Sequence, residues 1–131
     1  MFRFTLSIAG LFILGYMVVL WFSAAQVRVP VAVEKTVAGG DAAHGEELFR
    51  VHGCNACHAI DGIRGADGKV GPYLGYFAEQ SYIAGALPNQ PDNLIAWIMN
   101  QQAIEPGTAM PNLDVSSSDA RDIAAFLYAL E

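Results

Sequence analysis

Hydrophobic positions follow two different regimes along this chain. From Phe4 to Ala25, FTLSIAGLFILGYMVVLWFSAA, apolar residues run on without a charge, and Thr5, Ser7 and Ser23 supply the only aliphatic hydroxyls. A helix needs about 20 apolar residues to cross the hydrocarbon layer, so this stretch predicts one membrane-spanning helix. Trp21 and Phe22, near its far end, suit an interfacial anchor. The next segment, QVRVPVAVEKTVAGG over 26–40, alternates valine around Pro30 and ends in two glycines. It predicts an extended linker that reaches at most about 50 Å. Val27, Val29, Val31 and Val33 would share one face of a strand, but an isolated strand has nothing to pair with.

From Asp41 onward, short amphipathic segments alternate with loops. Asp41 is placed to cap the helix AAHGEELFRVH, and Pro91 stands where a first helical turn tolerates it, ahead of DNLIAWIMNQQ. Ser116, Ser117, Ser118 and Asp119 offer caps for a last helix that sets Ile123, Phe126, Leu127 and Leu130 on one face. A further short helix is expected near 77–85. Between these lie DGIRGADGKVGPYLG and EPGTAMPNLD, loops rich in glycine and proline. The expected architecture is all-α: an anchor over 1–25, a linker over 26–40 and a small helical domain over 41–131. Short helices with two long loops bury too little apolar surface to stand alone, so something else should fill the centre. A large, flat, apolar cofactor would do so.

Charge sharpens the division. All thirteen acidic residues lie at Glu34 or beyond, whereas Arg3 is the only charged side chain before Arg28, and the net charge is −6. Positive residues flanking a span stay in the cytoplasm, so the N-terminus is expected there. The acidic domain is then expected in the periplasm or its equivalent, carried by a single-pass protein of the cytoplasmic membrane. Ser23-Ala24-Ala25 looks like a signal-peptide cleavage site, but the apolar run exceeds the 7–15 residues of a signal core, so a retained anchor is expected. No nucleic-acid partner and no small-molecule substrate are expected.

The candidate chemistry is concentrated in HGCNACHAI, His52 to Ile60, which holds both cysteines and two of the three histidines. A redox dithiol needs only the cysteines and a strand–helix context that is missing here. Structural zinc needs four ligands, usually with a second pair from farther along the chain. An iron–sulfur cluster needs four cysteine-like ligands. A plain disulfide leaves His58 without a role. Cys54-Asn55-Ala56-Cys57-His58 instead matches C-x-x-C-H, the attachment sequence for c-type haem. Two thiols at this spacing reach the vinyl groups on one side of a porphyrin, and the adjacent imidazole of His58 is brought beneath the iron. For the opposite axial position, His44 and His52 precede the motif too closely. Met1 and Met17 belong to the anchor, and Met99 sits in a helix where packing explains it. Met110 stands in a polar loop between Pro106 and Pro111 and is the expected second ligand.

CNACH, then Gly71-Pro72-x-Leu74, then Met110-Pro111 and an amphipathic C-terminal helix, together resemble a class I cytochrome c over 41–131. The string GALPNQPDNLIAWIMNQQAIEPGTAMPNL is similar to the cytochrome c domain fused to subunit II of some haem-copper oxidases. The resemblance implies a fold of short helices wrapped around one covalent haem c. It implies that the Pro72 carbonyl accepts from the His58 ring N–H that is not on iron, a bond that orients the imidazole. It implies that Gly45 and Phe49 meet the last helix at Phe126 or Leu127. Trp97 either donates its indole N–H to a haem propionate or packs on the ring. Tyr73, Tyr76 and Tyr82 line the haem or face a partner.

With both axial positions filled there is no site for oxygen or peroxide, and one-electron transfer is the chemistry that remains. The expected role is therefore an electron carrier rather than an enzyme, and a thioether ligand raises its potential. A tethered domain searches a thin layer near the bilayer, where its effective concentration toward membrane partners is high. The expected partner is a respiratory complex, either a haem-copper oxidase or a quinol-oxidising complex, with this chain as a subunit. The alternatives are a free tethered shuttle and a haem sensor or enzyme whose Met110 dissociates.

Overall fold

The computed structural model of the 131-residue chain describes residues 13–19 and 36–130. The chain divides into two compact units, Met1–Val33 and Glu34–Glu131. In the first, residues 13–19 are helical and expose Ile13, Leu14, Tyr16, Met17, Val18 and Val19. The rest of the expected span, and the linker as far as residue 35, lie outside the described residues. Among the described residues no helix is long and apolar enough to cross a membrane.

The second unit is mostly helical. Helix α1, Ala42–Val51, starts where Asp41 accepts from the Ala43 and His44 N–H groups at 3.0 and 3.1 Å. An N-cap carboxylate satisfies backbone donors that a first helical turn leaves unpaired. Helix α2, Pro91–Ile104, opens on proline and is interrupted at Asn100. Helix α3, Ser117–Tyr128, is capped by the Ser116 hydroxyl, which accepts from the Asp119 N–H at 3.1 Å. Its buried face holds Ala120, Ile123, Ala124, Phe126 and Leu127, while Leu130 is half-buried against the same core.

Helices α1 and α3 form the principal crossing. A Cβ at Gly45 would run into the Asp122 carbonyl and come within 2.9 Å of the Phe126 Cβ, so the two backbones meet where α1 has no side chain. Phe49 packs against Phe126 with ring centroids 5.7 Å apart and planes tilted by 59°. Such tilted pairs add to the stabilisation that burial alone provides. Two bridges flank this contact. His44 Nδ1 lies 2.9 Å from Asp122 Oδ2, and His52 Nε2 lies 3.1 Å from Asp119 Oδ2.

Over 77–85 the expected short helix is limited to the first three residues. A 3-10 turn, Phe77–Glu79, leads into a two-stranded antiparallel hairpin of Tyr82–Ile83 with Leu87–Pro88. Ala84 and Gly85 both take positive φ, 50° and 75°, and the Ala86 N–H reaches the Ile83 carbonyl at 2.9 Å. Two consecutive left-handed residues make a type I′ turn, which reverses a strand and ends any helix. Asn89, buried to 4% exposure, fastens this region. Its amide donates to the Phe77 and Gln80 carbonyls at 2.8 and 2.9 Å, and it accepts from the Tyr128 hydroxyl at 2.7 Å. Burial pushes the Tyr128 hydroxyl up to about 12.

Candidate functional site

The cysteine segment begins as α1 ends. Gly53 takes φ 73°, turns the chain, and is followed by a 3-10 turn over Cys54–Ala56. Cys57 follows as the C-cap of this turn, three residues after Cys54. The Cys57 and His58 N–H groups both point back to the Cys54 carbonyl, at 3.2 and 3.0 Å. Both thiols are free and half-buried. Burial pushes the Cys54 thiol up to about 11. Among the described residues, no three of His, Cys, Asp or Glu come together to hold a metal ion.

The loop after the motif folds back beneath it. The Cys57 carbonyl accepts from Val70 N–H at 3.1 Å and from Gly71 N–H at 2.8 Å, while Leu74 N–H reaches the Ala59 carbonyl at 3.0 Å. Asn55 Nδ2 donates to the Gly65 carbonyl at 3.1 Å. Two glycines permit this approach. A Cβ at Gly68 would lie 2.7 Å from the Ala56 carbonyl, and one at Gly71 would lie 2.5, 2.6 and 2.9 Å from three atoms of the His58 ring. The imidazole therefore rests directly on a bare backbone.

His58 Nδ1 lies 2.7 Å from the Pro72 carbonyl oxygen. A carbonyl only accepts, so Nδ1 carries the proton and donates. The hydrogen bond expected between these two residues is present, and it leaves Nε2 as the nitrogen with a lone pair in the neutral ring. The remaining histidines are engaged elsewhere, His44 with Asp122 and His52 with Asp119. Met110 lies half-buried in its loop, packed against the core cluster that Cys54 also joins. Its carbonyl accepts from Gln101 Nε2 and Gln102 Nε2, both at 3.1 Å. Met99 is likewise half-buried against the core. Trp97 is buried at 6% exposure, and its indole N–H makes no hydrogen bond among the described residues. Tyr73 and Tyr76 pair with ring centroids 5.6 Å apart and, like Tyr82, remain exposed.

These residues fit a covalently attached haem: two unpaired thiols three residues apart at a tight turn, an imidazole oriented with its Nε2 free, and an indole N–H that no hydrogen bond occupies among the described residues. Sequence reasoning missed Gly68, Asn89 and the glutamine pair. Gly71 appeared only as part of a motif, and nothing in its sequence context revealed that an imidazole lies against it.

The comparison with known proteins agrees with this geometry. The family model for cytochrome c matches residues 42–131, and the chain belongs to that family. The family implies haem c, and Cys54 and Cys57 fall in the pattern it requires. The chain is 36% identical over 88 residues to a cytochrome c oxidase subunit 2 of Alkalihalophilus pseudofirmus (strain OF4), covering 66% of this chain and 25% of that protein. It is 32% identical over 97 residues to cytochrome c oxidase subunit 2 of Bacillus subtilis (strain 168), covering 72% of this chain and 27% of that protein. A third relative of the same description, from Bacillus sp. (strain PS3), is 30% identical over 91 residues, covering 68% of this chain and 25% of that protein. The chain thus spans about a quarter of the length of these relatives.

Proposed function

We propose that this protein is a membrane-anchored mono-haem cytochrome c that passes single electrons within a respiratory complex. The observation that carries the reading is the His58 Nδ1–Pro72 carbonyl bond inside a C-x-x-C-H turn with unpaired thiols. Bound there, a haem supplies one-electron chemistry through its iron. Cys54 and Cys57 would hold it by thioethers, and His58 Nε2 and the Met110 sulfur would ligate its iron. The Pro72 carbonyl fixes the ring orientation of His58 and makes the imidazole more basic. The apolar core against which Cys54 and Met110 pack would disfavour the more highly charged oxidised state of the iron. Trp97 offers its indole N–H to a propionate.

The uncharged run from Phe4 to Ala25 supports a single span, with Arg3 and the N-terminus in the cytoplasm and the haem domain on the extracytoplasmic side. Similarity to cytochrome c oxidase subunit 2 proteins supports a place in a terminal oxidase, in preference to a quinol-oxidising complex. Solubilisation in mild detergent tests this. The expected result is co-migration of the c-type spectrum with a haem-copper oxidase. Migration with a quinol dehydrogenase would reassign the complex, and recovery as a lone chain would make the protein a tethered shuttle. Rapid carbon monoxide binding by the reduced protein at neutral pH would contradict pure electron transfer.

A further inference from the structure

Residues 100–102 read Asn-Gln-Gln, and no role described so far uses them. At Asn100, φ is −159° and ψ is 75°, and helix α2 kinks. Asn100 Oδ1 accepts from the Ala103 N–H at 3.1 Å, the bond by which an N-cap starts a helix. The chain therefore ends one helix and restarts another turn at once, led by Gln101 and Gln102. Gln101 is completely buried, and its Nε2 donates to the Met110 carbonyl at 3.1 Å. Gln102 Nε2 donates to the same carbonyl at 3.1 Å and to the Thr108 carbonyl at 2.8 Å. Gln102 Oε1 accepts from the Gly107 N–H at 3.2 Å. Two adjacent amides thus hook the loop at Gly107, Thr108 and Met110.

Gln101 is unusual in one further respect. Its Oε1 is a buried side-chain oxygen with no hydrogen-bond partner among the described residues. Burying an amide with an unmatched oxygen is costly, and an aliphatic side chain of similar volume would pack the position more favourably. What the amide offers in return is its N–H, and the described acceptor of that N–H is the Met110 backbone.

We infer that Gln101 and Gln102 are positioning residues that clamp the Met110 carbonyl and thereby set how readily the methionine sulfur leaves the axial position. The inference rests on the proposal that Met110 is the second axial ligand. An added ligand such as imidazole binds only when the methionine loop opens, so its apparent affinity scales with the open fraction. Loosening the clamp raises that fraction without touching the sulfur itself.

The test uses the full-length holoprotein carrying Gln101→Leu, Gln102→Leu or Met110→Ala, titrated with imidazole in the ferric state. Each glutamine variant is expected to bind imidazole about tenfold more tightly, equivalent to about 1.4 kcal/mol. It is also expected to have a weaker sulfur-to-iron absorption band and a lower reduction potential. Helix content by circular dichroism reports whether each variant is folded. If Gln101→Leu does not fold, Gln102→Leu, at a half-buried position, carries the test. Folded glutamine variants that bind imidazole within about a factor of two of the parent would overturn the clamp, provided Met110→Ala abolishes the band. Persistence of the band in Met110→Ala would instead remove the ligand assignment, and the clamp with it.

Discussion

His58 and Pro72 form a donor–acceptor pair that can run in only one direction. The Pro72 carbonyl, 2.7 Å from Nδ1, has no proton to give, so the imidazole tautomer is fixed by a backbone atom. Backbone carbonyls move less than side chains, which makes this a rigid reference for the ring. Gly71, the residue before Pro72, makes the pairing sterically possible.

Gly71→Ala is therefore expected to expel the ring from its seat. The new Cβ would meet three imidazole atoms at 2.5–2.9 Å, and His58 cannot yield without losing the Pro72 bond. Overpacking of this kind typically costs about 1–3 kcal/mol. The variant should accumulate with less haem per polypeptide, read by the pyridine haemochrome assay against total protein. Parental haem content with an unchanged spectrum would contradict the seating described here.

The α1–α3 crossing should respond to pH at both ends. The Asp41 N–H, and then His44, hold the Asp122 carboxyl below its ordinary value of 3.8. His52, and then Ser116, do the same for Asp119. A depressed carboxylate stabilises the fold above its unfolded value, and that contribution is lost as pH falls through the folded value. His44 is raised above 6.5, chiefly by its hydrogen bond to Asp122. Its contribution is fully present below 6.5 and is lost as pH rises through the raised value. Stability from these pairs is thus greatest between about pH 4 and 6.5. Because the groups lie near the surface, the amplitude is small and falls with salt. Denaturant midpoints of Asp122→Asn should vary less with pH than those of the parent, and parallel pH profiles would count against the pairing.

Asn89 gives a prediction away from the cysteine turn. Asn89→Ala removes the amide that donates to the Phe77 and Gln80 carbonyls and the oxygen that accepts from the Tyr128 hydroxyl. Removing one partner of a buried hydrogen bond costs about 1–3 kcal/mol. Tyr128→Phe should cost less, because the Asn89 donors keep both carbonyls. Urea denaturation of the two variants checks the order, and equal losses would mean that Tyr128 carries the network.

What the sequence disclosed followed from how local each signal was. The caps at Asp41 and Ser116, the apolar face of α3 and the C-x-x-C-H turn each depend on residues within one or two helical turns, and all could be read directly. Family resemblance placed Phe49 against Phe126 or Leu127, since nothing local pairs residues so far apart, and the ring contact is with Phe126. The hairpin was hidden because positive φ at Ala84 is a tertiary outcome, and alanine there gives no turn signal. The Asn100 break was hidden for a related reason. Asparagine within an apolar-periodic helix reads as an exposed position until its side chain is seen capping the next turn. Asn89 and Gln101 look like surface residues by type, and only their partners explain their burial.

The proposed attachment of haem to Cys54 and Cys57 underlies the functional reading, and intact-mass spectrometry of protein from its native host tests it most directly. The account predicts a polypeptide heavier than its own apoprotein by one haem, with the added mass retained under denaturing, acidic conditions because thioethers hold it. A mass equal to the bare chain, with both cysteines open to alkylation, would contradict it.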